Sequence, residues 1–334
     1  MIVAMAAMTA MPAFAEKVSP ETARKVATTF LSNNGAKTDQ LTDLSKAAGF
    51  QNLYIFTTEQ GFVVMSADDC VKPILGYSLT NKFVTEGMPE NIRGWLQGYS
   101  DEIQYIIENR LRATNEVDEQ WKRLMDGNSK VALATPIVDN LIQTQWDQGS
   151  PYNNQCPKVG SKTTVTGCVA TAMAQIMKFW EHPITGTGSH SYTWNSQTLS
   201  ADFGITTYNW DNMTNTYSST SNATQKEAVA TLMYHCGVSV EMDYGISSAG
   251  GSSASTYDVM YALQTYFSYA TCMHYEQKEN YSDAEWFTML KNELNDGRPL
   301  QYRGSDAGGN GGHSFVCDGY DSEDNFHFNW GWNR

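Results

Sequence analysis

The run Thr166-Gly167-Cys168-Val169-Ala170-Thr171-Ala172-Met173-Ala174-Gln175-Ile176-Met177-Lys178-Phe179-Trp180 constrains this chain more than any other stretch. A glycine precedes a cysteine, and the cysteine opens a series of good helix formers that stops before His182-Pro183, because proline cannot continue a helix. Val169, Ala172, Met173, Ile176, Met177 and Trp180 recur at three- and four-residue steps, which predicts a helix with one buried face. Cys168 then stands at the positive end of that helix. Unpaired backbone N–H groups and the helix dipole stabilise an anion there, so the thiol pKa is expected to fall. Such a placement suits a nucleophile, but by itself it also describes a small buried hydrophobe. The rest of the chain has to decide.

With 334 residues the chain has room for about two domains of ordinary size. Apolar residues make up 41% and aromatic ones 12%, enough for packed cores, so wholesale disorder is excluded. The net charge of −14, with no basic stripe, argues against nucleic acid as a partner. Met1 to Ala15 carries no charge and ends Ala13-Phe14-Ala15, the pattern of an apolar signal peptide with an Ala-x-Ala cleavage site. It lacks a basic n-region, which suggests a true start upstream. It is too short to span a bilayer, and no later segment reads as a span. Export to the cell exterior is expected. The six cysteines lie far apart, with no Cys-x-x-Cys pair and no zinc-finger spacing to a histidine, so neither a structural metal nor a cofactor is expected.

Ser19-Pro20-Glu21 reads as a helix start, with the helix continuing through Phe30 to a stop at Asn34-Gly35. Strand-like runs follow at 53–56, 61–65 and 74–77, the first two joined by a turn at Glu59-Gln60-Gly61. From Pro89-Glu90 one long helical stretch is expected to reach about Met125. No histidine precedes His182, so residues 16–134 read as an α+β domain without catalytic equipment. The polar break Asp126 to Lys130 and the extended run to Pro136 read as a linker. Beyond it, helices are expected at 223–236, 257–267 and, after the capping box Ser282-Asp283-Ala284-Glu285, up to Gly297. Strands at 300–303, 313–317 and 326–330 close the chain. Helices first and strands last make an α+β order.

A cysteine nucleophile needs a base. His182 sits at a helix end, His190 in a polar loop, His235 inside a helical pattern and His274 in a strand-like run. For each of these, packing or solvent exposure outweighs catalysis. His313 differs: it follows a glycine-rich loop from Gly304 to Gly312 and opens an alternating strand, so its ring is held on a rigid element. It lies 145 residues after Cys168, within the range of enzymes that pair a helix-borne cysteine with a strand-borne histidine. His327 on the next strand is its competitor. The turn Asp321 to Asn325 lacks the acidic spacing of a calcium loop.

Five motifs stand in a telling order. Gln148-Gly149-Ser150-Pro151-Tyr152-Asn153 comes first, then Thr166-Gly167-Cys168-Val169-Ala170-Thr171-Ala172 and Met242-Asp243-Tyr244-Gly245. Gly312-His313-Ser314-Phe315-Val316-Cys317-Asp318-Gly319 and Asn329-Trp330-Gly331-Trp332 follow. Together they resemble the streptopain family of secreted bacterial cysteine proteases, to which the interpain-type enzymes of Bacteroidetes also belong. The resemblance is strong over residues 135–334 and looser over 16–134, which resemble the family's propeptide. It implies a papain-like α+β catalytic domain preceded by an α+β inhibitory prodomain that blocks the cleft until it is cut away, by autocatalysis. It further implies peptide or protein substrates with a hydrophobic residue two positions before the scissile bond. Cys168 matches the family's nucleophile and His313 its base. Gln148 matches the glutamine that forms the oxyanion hole with the Cys168 backbone N–H. Trp330 matches a tryptophan packed by the histidine, and Asn329 precedes it.

The chemistry of those residue types agrees. A thiolate–imidazolium pair supplies a nucleophile at neutral pH and an acid for the leaving amine. A side-chain amide with a backbone N–H at a helix start stabilises a tetrahedral oxyanion, each donor contributing ~3 kcal/mol. An indole shields the pair from water, and either Asn329 or Trp330 is placed to orient His313. The loops around Gly245 and Gly312 are expected to frame the cleft. Ser314 and Cys317 depart from streptopain, which has other small or apolar residues there. The chain stops at Asn333-Arg334, where family members continue, which suggests a truncated last sheet. Activation cleavage is expected near Lys130 to Thr135. The rival readings are a cell-wall amidase of the same broad fold and an inactive scaffold or binding protein.

Overall fold

The computed structural model describes residues 17–86, 88, 90–126, 136–305 and 312–332. The signal-peptide reading, most of the linker, the activation site, the glycine run from 306 to 311 and the last two residues lie outside these. Two compact units divide between residues 134 and 135, with Ser305 grouped with the first.

In the N-terminal unit, α1 (Pro20–Asn33) starts at Ser19, whose Oγ accepts from the Thr22 N–H at 3.1 Å. Four strands follow in sequence order, β1 (Thr42–Asp43), β2 (Leu53–Thr57), β3 (Phe62–Ser66) and β4 (Ile74–Ser78), interrupted after β1 by the one-turn α2 (Ser45–Ala48). They pair β1-β2-β3-β4, all antiparallel. Alternation along β2 and β3 divides the apolar residues between two faces. Phe56, Val63 and Met65 pack on α1, whereas Leu53, Ile55 and Val64 face α3 (Glu90–Glu108). The expected single helix from 90 to 125 is in fact two. The backbone turns at Arg110, φ 50°, and α4 (Asn115–Asp126) begins after Thr114. Its Trp121 and Leu124 join the α1 face, while Leu96 and Ile103 of α3 serve the opposite face. One straight helix cannot cover both sides of a sheet, so the chain breaks and crosses over.

The second unit is organised on α5 (Cys168–Trp180), which follows β5 (Pro136–Val138) and the ribbon β6 (Lys158–Val159) and β7 (Lys162–Thr163). Nine consecutive residues of α5, Val169 to Met177, are buried, so its apolar surface is wider than one face. Met173 and Met177 enter the main core, shared with the hairpin β8 (Ser189–Trp194) and β9 (Gln197–Asp202), with α6 (Ala223–Ser239) and with α7 (Tyr257–Tyr266). Ala172 and Ile176 face the other way, onto Val316 and Ile142. Helix α8 (Asp283–Asn295) carries the expected capping box at Ser282 and Glu285. The final sheet runs β10 (Leu300–Ser305), β11 (Gly312–Asp321), β12 (Phe326–Asn329), with β5 paired on β11. The turn between β11 and β12 is held by the Asp321 carboxylate, which accepts from the Glu323 and Asn325 amides at 2.9 and 3.0 Å. No helix among the described residues is long and apolar enough to cross a membrane.

Candidate active site

Cys168 is the first residue of α5, and its position is set by the segment before it. Gly167 has φ +86°, and a Cβ there would lie 2.7 Å from the Met242 sulfur, so only glycine fits. Val165 donates to the Gly245 carbonyl at 3.0 Å, and the Ser252 hydroxyl donates to the Val165 carbonyl at 2.7 Å. Gly245 is equally constrained, since a Cβ there would meet the Gly251 carbonyl at 2.1 Å. On the other side, the Thr166 N–H donates to the Gln148 carbonyl at 3.1 Å. The Gln148 and Gly245 loops thus both anchor the approach to the cysteine. Gln148 is 5% exposed, and among the described residues no side chain or backbone group takes up its carboxamide.

His313, the expected base, stands on β11. The backbone N–H of Ser314, the residue after His313, favours the anionic form of the Cys168 thiol, and the two elements pack through Ala172, Ile176 and Val316. His313 is buried under aromatic rings, stacked on Trp332 with centroids 5.3 Å apart and on Trp330 at 6.1 Å. Its Nε2 lies 2.8 Å from the Trp330 carbonyl and 3.0 Å from the indole Nε1 of Trp332. Orientation of the ring therefore rests on the Trp330 backbone and two indoles. Asn329 does not touch it. Its amide donates to the Thr144 carbonyl at 2.7 Å and its oxygen accepts from Gln175 at 3.2 Å and from the Gly331 N–H at 3.1 Å, tying the end of β12 to α5. Trp332 had no role assigned from sequence. The available signal was the Trp-Gly-Trp spacing, because Gly331, at φ +68° and with room of only 3.0 Å to Thr171 Cγ2, lets the chain fold back over α5.

Electrostatics depart from the expectation for Cys168. Enclosure outweighs the helix dipole: burial pushes the thiol pKa up, opposed by the N–H groups of Ser314, Val169 and Cys168 and by the Arg303 guanidinium. Burial pushes His313 down to about 4, against the bond to Trp330. As folded, the pair favours neutral thiol and neutral imidazole. Gly312, at the start of β11, is exposed, and a Cβ would meet nothing closer than 3.5 Å.

The other histidines are occupied. His327 donates or accepts at Asp318 (2.6 Å) and Asn140 (3.2 Å), His235 at the Tyr208 hydroxyl (3.0 Å) within the α6 core, and His190 at Glu241 (3.0 Å). His182 caps nothing with its ring. Its Nε2 meets the Ser268 carbonyl at 3.3 Å, while its backbone N–H closes the end of α5 on the Met177 carbonyl. His274 is paired loosely with Glu276 at 3.5 Å. All six cysteines are free thiols.

Residues 146–333 match the model of the peptidase C10 family, and residues 15–103 match the Spi protease inhibitor model. Streptopain of Streptococcus pyogenes is 34% identical over 303 residues, covering 84% of this chain and 71% of streptopain. The thiol protease/hemagglutinin PrtT of Porphyromonas gingivalis is 34% identical over 283 residues, but the chain spans only 32% of PrtT's length. A fragment of prointerpain A of Prevotella intermedia, carrying a cysteine-to-alanine mutation, superposes with a TM-score of 0.73 at 35% identity, covering 88% of each chain. Active interpain A superposes with a TM-score of 0.56 at 42% identity, covering 59% of this chain and 82% of that one. The papain-like α+β fold with an N-terminal prodomain follows from these likenesses. The chain belongs to the peptidase C10 family, as a cysteine-type endopeptidase with a Spi-inhibitor-like prodomain.

Proposed function

We propose that Cys168 and His313 carry out peptide-bond hydrolysis in this chain, and that residues 16–134 are a prodomain removed by the enzyme itself. Cys168 Sγ attacks the scissile carbonyl, and the imidazole takes the thiol proton and returns it to the leaving amine. The Gln148 carboxamide and the Cys168 backbone N–H receive the oxyanion. Trp330 shields the pair, and the loops at Gly245 and Gly312 border the cleft. The substrate is an extended polypeptide with an apolar residue two positions before the cut, met outside the cell after signal-peptide removal at Ala15. Residues 135–334 form the catalytic domain, and activation cuts near Lys130 to Thr135. Peptide substrates are favoured over cell-wall amides by the relatives, whose names are those of proteases.

The observation that carries this reading is the join between α5 and β11. The amide that follows His313 favours the Cys168 thiolate, and the ring of His313 is anchored through Nε2, which leaves Nδ1 to serve as base. Incubating the full chain and a Cys168→Ala copy at neutral pH with a reductant tests it. Mass spectrometry should show the wild type losing its N-terminal unit and the alanine copy intact. Equal cleavage of both would remove Cys168 from the role of nucleophile.

A further inference from the structure

The neighbours of the two reacting residues are joined by a side chain outside the five motifs. Gln301 lies on β10, whose other residues Leu300 and Tyr302 pack into the apolar cluster of Leu294, Cys317 and Tyr320. Gln301 therefore points to the opposite face of the strand, toward α5. Its Nε2 donates to the Val169 carbonyl at 3.1 Å and to the Ser314 hydroxyl at 2.9 Å. Val169 follows Cys168, and Ser314 follows His313. The backbone N–H of the same Ser314 is among the groups that favour the Cys168 thiolate.

One further observation argues against simple packing. The Oε1 of Gln301 is buried without a hydrogen-bond partner. An orphaned buried acceptor keeps its full desolvation cost, whereas an apolar side chain of the same shape carries no such penalty. A carboxamide kept there under that penalty is kept for its donor end. Turning the amide over would set Oε1 against the Val169 carbonyl, two acceptors face to face, so the orientation is the one the neighbours demand.

We propose that Gln301 is a positioning residue of the hydrolysis, a donor clamp that fixes the peptide after Cys168 against the peptide after His313. Through Ser314 it holds the amide N–H that solvates the thiolate once this forms. The clamp acts at a distance of one residue from each reacting group and touches neither. The inference rests on the assignment of Cys168 and His313 as the reacting pair.

The test uses the full-length chain and its matured form, with Gln301→Met, Ser314→Ala, the double variant and Cys168→Ala measured alongside wild type. Two readouts are taken: kcat and KM on a peptide substrate, and the pH profile of Cys168 alkylation by iodoacetamide. Gln301→Met should lower kcat about tenfold with KM within about twofold of wild type, as expected when reacting groups are slightly misplaced. Its alkylation midpoint should move to higher pH, because the Ser314 N–H is no longer held on the thiolate. Ser314→Ala should show part of both effects, and the double variant should be no worse than Gln301→Met. A wild-type kcat with an unmoved profile in Gln301→Met overturns the clamp, and so do fully additive losses in the double variant. Should Gln301→Met not accumulate as folded protein, Ser314→Ala decides, and wild-type values there overturn it. If Cys168→Ala turns over like wild type, the reacting pair itself is wrong and the clamp falls with it. If Cys168→Ala is dead while Gln301→Met is unimpaired, only the clamp fails.

Discussion

His313 Nε2 lies within hydrogen-bonding reach of two groups that make opposite demands. The Trp330 carbonyl at 2.8 Å wants a proton on Nε2, and the Trp332 indole N–H at 3.0 Å wants a lone pair. Only the first is compatible with Nδ1 acting as base, since a neutral imidazole carries one proton. The indole N–H then opposes protonation of the ring, in the same direction as burial. Trp332→Phe keeps the stacked face and removes that N–H, so the His313 pKa should rise by roughly 0.5–1 unit, read from the acidic limb of kcat/KM. Asn329 belongs to a different account. Its three bonds join Thr144, Gln175 and Gly331, so Asn329→Ala should cost about 2–3 kcal/mol of stability in urea unfolding. Activity per folded molecule should survive, whereas His313→Ala should abolish it. The Cys-Val-Ala and Gly-His motifs made the candidate pair legible, because a cysteine at a helix start and a histidine at a strand start are local facts. The partner of the histidine was not legible. Asn329 and Trp330 are adjacent in sequence, and which one faces the ring depends on how β12 ends.

Helix α5 is the element on which the second unit turns. Its heptad-like spacing announced one buried face, yet it is enclosed between the α6 core and β11, with Met173 and Met177 on one side and Ala172 and Ile176 on the other. Two glycines permit this. Gly167 passes beside Met242 at its start, and Gly331 passes beside Thr171 on its flank. Gly331→Ala forces an alanine into φ +68° and within 3.0 Å of the Thr171 methyl, so the Trp330–Trp332 segment should lift from α5. The expected result is a loss of roughly 1–3 kcal/mol in stability and a fall in kcat larger than that of Asn329→Ala, since Trp332 would no longer cover His313. Equal effects of the two substitutions would place the role of Gly331 in folding alone. In the N-terminal unit the same kind of element-level decision split one predicted helix into α3 and α4.

Over the whole molecule, burial dictates the response to acid. His313 and His235 are both pushed down to about 4 by burial, from an unfolded value near 6.5. Between those values the unfolded chain binds protons that the folded chain refuses. Stability is therefore complete above about pH 6.5 and declines as the pH falls toward 4, by up to on the order of 3 kcal/mol per histidine. Urea midpoints of the catalytic unit at pH 7 and pH 4.5 should show this fall, and His235→Gln should make it shallower. A net charge of −14 gives the acid limb further reasons to move, but those remain in both proteins and cancel in the comparison.

Sequence by itself determined that this chain has two α+β parts, and it singled out a helix-borne cysteine and a strand-borne histidine as the candidate pair. Ordered motifs and hydrophobic periodicity are short-range signals, and they suffice for elements and for residues at element ends. Tertiary structure decided the rest. It set the Trp330 carbonyl and the Trp332 ring on His313, drew Asn329 away to Thr144 and Gln175, raised the thiol pKa of Cys168 and joined Gln301 to the residues that follow Cys168 and His313. Each of these depends on which side chains from distant segments share a buried volume, where desolvation and hydrogen-bond geometry outweigh local preference. A helix dipole can be read from the order of residues, but the enclosure that overrides it exists only once the chain has closed around the thiol.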